Sequence, residues 1–261
     1  MNRAEMVAEL EKYFKRRVIL IIYNYLSEPS KGFIEDGDEF YFRDFRDNFL
    51  IKENISDCVI ILNGPGGNVK TAIACSQILR DSLRRYDSFV PTVAGSSLCY
   101  FILQSDRLFI GDRSFITQID PLFNYKEKEL RAVENLSNPD PEIRKLAHSV
   151  FNPTIENLKR ILKNKPHVFE DEVSKESAYK FNYLGKLVDL WMKQKEHDRP
   201  LRITDLQKLK VKYKSAPKEI IDLTKSLIGE CLNELKTENK RFVIQTSKIE
   251  DNKYYGGYYH S

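Results

Sequence analysis

The sequence predicts an α/β fold organised on a mostly parallel sheet, and three observations carry that prediction. Cys58–Leu62 is an uninterrupted apolar run that meets the turn Asn63-Gly64-Pro65-Gly66-Gly67-Asn68, after which Val69, Ala72, Ile73, Ser76, Leu79 and Leu83 recur at helical spacing. The same order returns further on, with Phe89–Val93 as strand, Ala94–Ser96 as turn and Leu98–Gln104 as an apolar helix. Leu108–Ile110 and Ser114–Ile116 then supply further strands. A run apolar at every position suits a strand buried on both faces, and helices between successive strands suit parallel connections.

Each element follows from its local pattern. Residues 4–16 have helical spacing, with Met6, Leu10 and Phe14 on one face, and Val18–Tyr25 turns β-branched and aromatic, which predicts a first strand. Residues 39–50 alternate aromatic and charged side chains, a pattern that fits a short strand or a short helix equally. Residues 124–165 are highly charged, and Pro139, Pro141 and Pro153 divide them into helical stretches such as 142–151 and 154–163, so a projecting helical arm is expected. Amphipathic helices are expected over 171–196 and 217–238, and a late strand over Phe242–Gln245. The expected organisation is an α/β core over 1–123, the arm over 124–165, C-terminal helices and a closing strand of the same domain over 166–247, and a flexible tail over 248–261.

Composition sets the class. A chain of 261 residues with 41% hydrophobic content can bury a real core. Its 42 Lys and Arg against 38 Asp and Glu give a net charge of +4, spread in mixed-sign runs, so no nucleic-acid footprint is indicated. Cys58, Cys75, Cys99 and Cys231 show no C-x-x-C spacing and read as reduced core residues of a cytosolic protein. The N-terminal residues are charged throughout and lack the apolar stretch of a signal peptide, and Val18–Tyr23 is far too short to span a bilayer, so no membrane segment is expected. His167, His197 and His260 are too widely spaced for a metal pattern, and no cofactor or metal is implied. Trp191, on an amphipathic stretch, reads as core.

Residues Gly64-Pro65-Gly66-Gly67-Asn68-Val69-Lys70-Thr71 lie one residue from the phosphate-binding pattern G-x-x-x-x-G-K-[ST]. The failing position is Val69, whose stiff β-branched side chain stands where glycine lets that loop wrap a phosphate. No strand ending in a magnesium-binding Asp follows convincingly, Leu108-Phe109-Ile110-Gly111-Asp112 being the best candidate.

Three ordered stretches, IILNGPGGNVKTAIACSQILR, VPTVAGSSLCYFILQSDRLFIG and SFITQIDPLF, resemble the serine dehydrogenase proteinase family, a branch of the Clp-protease and signal-peptide-peptidase superfamily with the ClpP/crotonase-type spiral of strand-turn-helix units. The likeness is densest over residues 57–123 and weaker elsewhere, including HDRPLRITDLQKL at 197–209. The resemblance places Ser96 on the family's nucleophilic serine and Gly66 on the glycine whose N–H, with that of Ser97, forms the oxyanion hole. It also implies a homo-oligomer. The residues themselves point the same way, because Pro91–Gly95 deliver Ser96 to a helix N-terminus, where unpaired N–H groups favour a developing negative charge. Asp106 and Asp120-Pro121 match as well and read as structural.

The chain also departs from the family pattern. Ser96-Ser97-Leu98-Cys99 stands for S-A-G-T, Gly64 for the Thr of T-P-G-G, and Thr117-Gln118 for a Gly-Pro pair. Clp proteases place a His just before the proline of the third motif, and none stands in Gln118-Ile119-Asp120-Pro121. The signal-peptide-peptidase branch uses a lysine further along, for which Lys126, Lys128, Lys145 and Lys159 are the candidates, with His148 behind them. The expected function is a serine peptidase acting on a polypeptide substrate. The alternatives are a catalytically degenerate scaffold or partner subunit, a nucleotide binder at the Gly64–Thr71 loop, and acyl-CoA chemistry of the crotonase type.

Overall fold

The computed structural model describes residues 1–25, 32–163, 201, 203–208 and 213–247. The helix expected over 171–196 and the tail expected over 248–261 lie outside them, as do Trp191, His167, His197 and His260. The chain divides into two units, Met1–Ile116 with Tyr213–Ser261, and Thr117–Lys212.

In chain order the first unit comprises α1 (Arg3–Phe14), β1 (Arg17–Tyr23), α2 (Asp38–Phe45) continuing as a π-helical turn (Arg46–Ile51), β2 (Asp57–Asn63), α3 (Val69–Ser82), β3 (Arg85–Val90), β4 (Val93–Ala94), a 3-10 turn (Ser96–Leu98), α4 (Cys99–Gln104), β5 (Arg107–Ile110) and β6 (Phe115–Ile116). The second unit holds β7 (Leu122–Tyr125), β8 (Lys128–Arg131), α5 (Ala132–Asn135), α6 (Pro141–Lys163) and α7 (Ile203–Lys208). The chain then returns to the first unit as β9 (Tyr213–Ser215), α8 (Lys218–Thr237) and β10 (Phe242–Thr246).

The sheet of the first unit runs β10-β1-β2-β3-β5-β9. Its central pairs are parallel, with Ile19 opposite Ile60 and Ile60 opposite Ser88, and only β10 runs antiparallel, beside β1. From Val18 to Tyr23 every residue of β1 is buried, as the unbroken apolar run requires, because helices cover both faces. Val18, Leu20, Ile22, Val59, Ile61 and Phe89 pack on Met6, Val7 and Leu10 of α1 and on Leu227, Ile228 and Cys231 of α8. Each such side chain contributes roughly 1.5–3 kcal/mol by leaving water. The other face carries an aromatic cluster in which Phe42 of α2 packs on Phe101 of α4 and stacks on Phe242 of β10, whose ring also stacks on Tyr23. At the amino edge of the sheet, Arg16 bridges Asp57 at 2.8 Å and the buried Asp87.

Three elements differ from their sequence reading. The strand expected over Phe89–Val93 stops at Val90, since Pro91 has no N–H to give the ladder, and Val93–Ala94 pairs with Phe115–Ile116 instead. The span 124–165 opens with the β7–β8 hairpin, Tyr125 opposite Lys128, before its helices begin. Lys126 and Glu127 turn that hairpin with φ values of 47° and 64°. Residues 142–151 and 154–163 form one helix, α6, with Pro153 inside it. The carbonyl that Pro153 leaves without a donor belongs to Ser149, which is exposed to water, while the Thr154 hydroxyl donates to the Val150 carbonyl at 2.8 Å. The undecided stretch 39–50 is helical.

Candidate active site

β2 and β3 are parallel neighbours, so the turns that follow them emerge side by side at the carboxyl edge of the sheet, where α/β proteins bind ligands. Two main-chain bonds join them: Gly64 N–H donates to Val93 C=O at 3.1 Å, and Gly95 N–H to Gly64 C=O at 2.9 Å. Gly66, at φ 102°, is the point of closest approach. A Cβ there would stand 2.5 Å from Gly95 O, 2.8 Å from Ser96 Cβ and 2.9 Å from Ser97 N, so only glycine fits. Gly95 is matched to the same contact, since a Cβ on it would fall 2.4 Å from Pro65 O.

Ser96 adopts φ 45°, a left-handed conformation uncommon for a residue with a side chain, and one that sites with a sharply presented serine share. It is partly exposed, whereas Ser97, Leu98 and Cys99 behind it are buried. Main-chain acceptors here are used: Leu98 N–H bonds Gly95 C=O, and Cys99 N–H bonds the carbonyls of Ser96 and Ser97. Among the described residues the N–H groups of Gly66 and Ser97 have no acceptor, and the buried Ser97 hydroxyl has no partner. Two buried donors flanking an accessible hydroxyl can stabilise an oxyanion formed on a carbonyl that the hydroxyl attacks. Cys99 is no rival nucleophile, because burial pushes its thiol pKa far up.

The N-terminus of α3 is already satisfied. Asn68 caps it by accepting from Thr71 N–H at 3.1 Å, and the Asp36 carboxylate accepts from Asn68 Nδ2 at 2.9 Å and Thr71 Oγ1 at 3.0 Å. Lys70 points to solvent. Asp106 accepts from Tyr86 N–H at 2.9 Å and from Arg80 at 2.8 Å, tying the end of α4 to β3. In the second unit the buried Asp120 pairs with Arg131 of β8.

The sequence-derived candidates for a general base, Lys126, Lys128, Lys145 and Lys159, belong to the second unit and are exposed. Lys126 sits 4.9 Å over the Tyr125 ring, and its contact with Tyr125 raises its pKa, the wrong direction for a base. Lys159 pairs with Glu156 at 2.9 Å. His148, on α6, lies 3.2 Å from Leu136 C=O.

Sequence reasoning missed the segment that holds the Gly66 turn from its far side. Ile34 N–H donates to Gly66 C=O at 2.7 Å, and Asn68 N–H returns a bond to Ile34 C=O at 2.7 Å. Residues 32–38 show no periodicity, and the side chain that anchors them, Arg241, is supplied by the opposite end of the chain. No spacing pattern could have joined the two. Among the described residues no cluster of three or more His, Cys, Asp or Glu could hold a metal ion, and no helix is long and apolar enough to cross a membrane.

No protein-family model matches the sequence, and no curated protein matches it either. Among solved structures, the chain is similar to a variant of the 1510-N membrane-bound stomatin-specific protease, at 15% identity and a TM-score of 0.44 over 80% of this chain and 82% of that one. It is also similar to a variant of ClpP1 from Listeria monocytogenes, at 14% identity and a TM-score of 0.41 over 82% of this chain and 99% of that one. A second variant of the stomatin-specific protease, in complex with a substrate peptide, is similar at 12% identity and a TM-score of 0.38 over 75% of this chain and 93% of that one.

Proposed function

We propose that this chain is a serine hydrolase that cleaves polypeptides, with Ser96 as nucleophile and the N–H groups of Gly66 and Ser97 as the oxyanion hole. The observation that carries the reading is the contact between the two turns, which sets two acceptor-free N–H groups beside the hydroxyl of a partly exposed serine on a left-handed backbone. The three ordered motifs that resemble the serine dehydrogenase proteinase family support it as well. Ser96 Oγ attacks the peptide carbonyl carbon, the oxyanion is met by the two N–H groups, and the leaving amine departs with the proton the hydroxyl released. The acyl-enzyme is then hydrolysed by water. The candidates for the base that carries the proton are Lys126, Lys128, Lys145 and Lys159, and the working form is a homo-oligomer. At the neighbouring α3 N-terminus the Asp36 carboxylate repels phosphate, which disfavours a nucleotide at that loop.

A fluorophosphonate probe, which reacts only with activated serines, tests the reading on the full chain. Wild type is labelled at Ser96 and the Ser96→Ala variant is not. Absence of labelling of the assembled protein would overturn the hydrolase in favour of a catalytically degenerate scaffold, and saturable ATP binding lost in Lys70→Ala would favour the nucleotide site. The lysine whose replacement slows labelling and flattens its rise with pH is the base.

A further inference from the structure

A buried ion pair stands behind the oxyanion turn. Arg241, at the entry to β10, and Asp38, at the first position of α2, are 203 residues apart in sequence and almost fully enclosed, at 3% and 0% exposure. The guanidinium meets both carboxylate oxygens, Nη1 to Oδ2 at 2.9 Å and Nη2 to Oδ1, the two-pronged geometry in which Arg recognises a carboxylate. The Tyr23 hydroxyl adds a third bond, to Asp38 Oδ2 at 3.3 Å.

The pair also grips residues 33–35. Arg241 Nη1 donates to Phe33 C=O at 2.9 Å, its Nε lies 3.5 Å from the Glu35 carboxylate, and Asp38 Oδ2 accepts from Glu35 N–H at 3.2 Å. Ile34 is thus held on both sides, and Ile34 is the residue bonded to Gly66 C=O and Asn68 N–H. In a trans peptide the C=O and the following N–H point in opposite directions. Anchoring Gly66 C=O on Ile34 therefore fixes the plane of the Gly66–Gly67 peptide and, through the Gly66 Cα which that peptide shares with the one before it, restrains the pose in which the turn presents Gly66 N–H to Ser96.

The geometry points to Arg241 and Asp38 as positioning residues for the oxyanion hole, acting through Ile34; this inference rests on the hydrolase reading above. An ion pair of this kind need not be there for stability, since apolar side chains of similar volume commonly serve a buried site at least as well. What apolar replacements lack is the bonds to Phe33 C=O and Glu35 N–H.

The test is the double variant Asp38→Leu/Arg241→Met, with Arg241→Lys as the conservative variant, in the full-length protein. The measurements are the maximal rate and half-saturation of fluorophosphonate labelling, the thermal midpoint, and hydrogen exchange at the amides of Ile34 and Asn68. The double variant is expected to lose at least about tenfold in maximal rate, as misplaced catalytic groups do. Half-saturation and midpoint stay near wild type, the two amides exchange faster, and Arg241→Lys restores part of the rate. An unchanged rate, or one that falls only in step with the midpoint, overturns the inference. If wild type is not labelled, or Ser96→Ala is labelled as well, the hydrolase reading fails by itself. The exchange data then decide the anchor: unchanged protection at Ile34 and Asn68 overturns it, and lost protection upholds it as the restraint on the turn.

Discussion

Replacing Gly66 with Ala probes the contact on which the site depends. The added methyl has two costs. At φ 102° an L-residue is strained, at roughly 1–3 kcal/mol. The methyl also meets main-chain atoms that cannot rotate away, 2.5 Å from Gly95 O and 2.9 Å from Ser97 N. Bringing the nearer contact out to 3.0 Å requires the two turns to part by about 0.5 Å, and forced overpacking of this kind costs a further ~1–3 kcal/mol. Gly37 provides the control: its φ is 99°, but a Cβ there would have nothing within 4 Å, so Gly37→Ala reports strain without collision. Urea unfolding should find Gly66→Ala less stable than Gly37→Ala by about the collision term, ~1–3 kcal/mol. Fluorophosphonate labelling of Ser96 should slow by about 10²-fold, the usual loss when an oxyanion donor is misplaced, equivalent to ~2.7 kcal/mol of activation energy. Equal destabilisation by the two substitutions would show that the turns do not touch, and an unchanged labelling rate in Gly66→Ala would remove the turn from the site.

Two further outcomes follow from burial and helix chemistry. Burial raises the pKa of all four thiols, Cys231 to about 11 and the others further, whereas thiols of the unfolded chain ionise near ~8.5. The unfolded state therefore loses protons first, and stability should fall as pH rises above ~8.5, by up to ~1.4 kcal/mol per pH unit for each thiol; a urea midpoint as high at pH 9.5 as at 7.5 would contradict this. Pro153 lies exposed inside α6, so Pro153→Ala restores a main-chain hydrogen bond and should raise the thermal midpoint, by a gain of about 1–2 kcal/mol once the looser unfolded chain is counted. A lower midpoint would mean that the ring's stiffness outweighs the missing bond.

The parts of this molecule legible in its sequence are those fixed by local rules. β1 from Val18 to Tyr23 and β2 from Cys58 to Leu62 are apolar at every position because both faces are covered, and Gly66 and Gly95 reveal the turns because nothing larger fits between them. What escaped depends on distant partners or competing rules. The Lys126-Glu127 turn sits in a stretch so charged that its strands carry no apolar alternation. Pro153 reads as a helix break, yet the exposed Ser149 carbonyl can turn to water, so α6 continues. Residues 39–50 fit a strand and a helix equally in sequence because aromatic and charged side chains alternate, while the packing of Phe42 and Phe45 follows a helical turn. Arg241 and Asp38 stand 203 residues apart in sequence, and no local pattern joins them.

The placement of β10 has a consequence for synthesis. β1 gains its neighbour β2 once residue 63 has been made, but its other edge pairs with residues 242–246. At ribosomal rates of ~5–20 residues per second, that flank stays open for roughly 10–40 s. A nascent chain of this protein carries an uncapped hydrogen-bonding edge of isoleucines and leucine throughout that interval, the kind of surface on which cotranslational chaperones act and on which crowded polysomes aggregate.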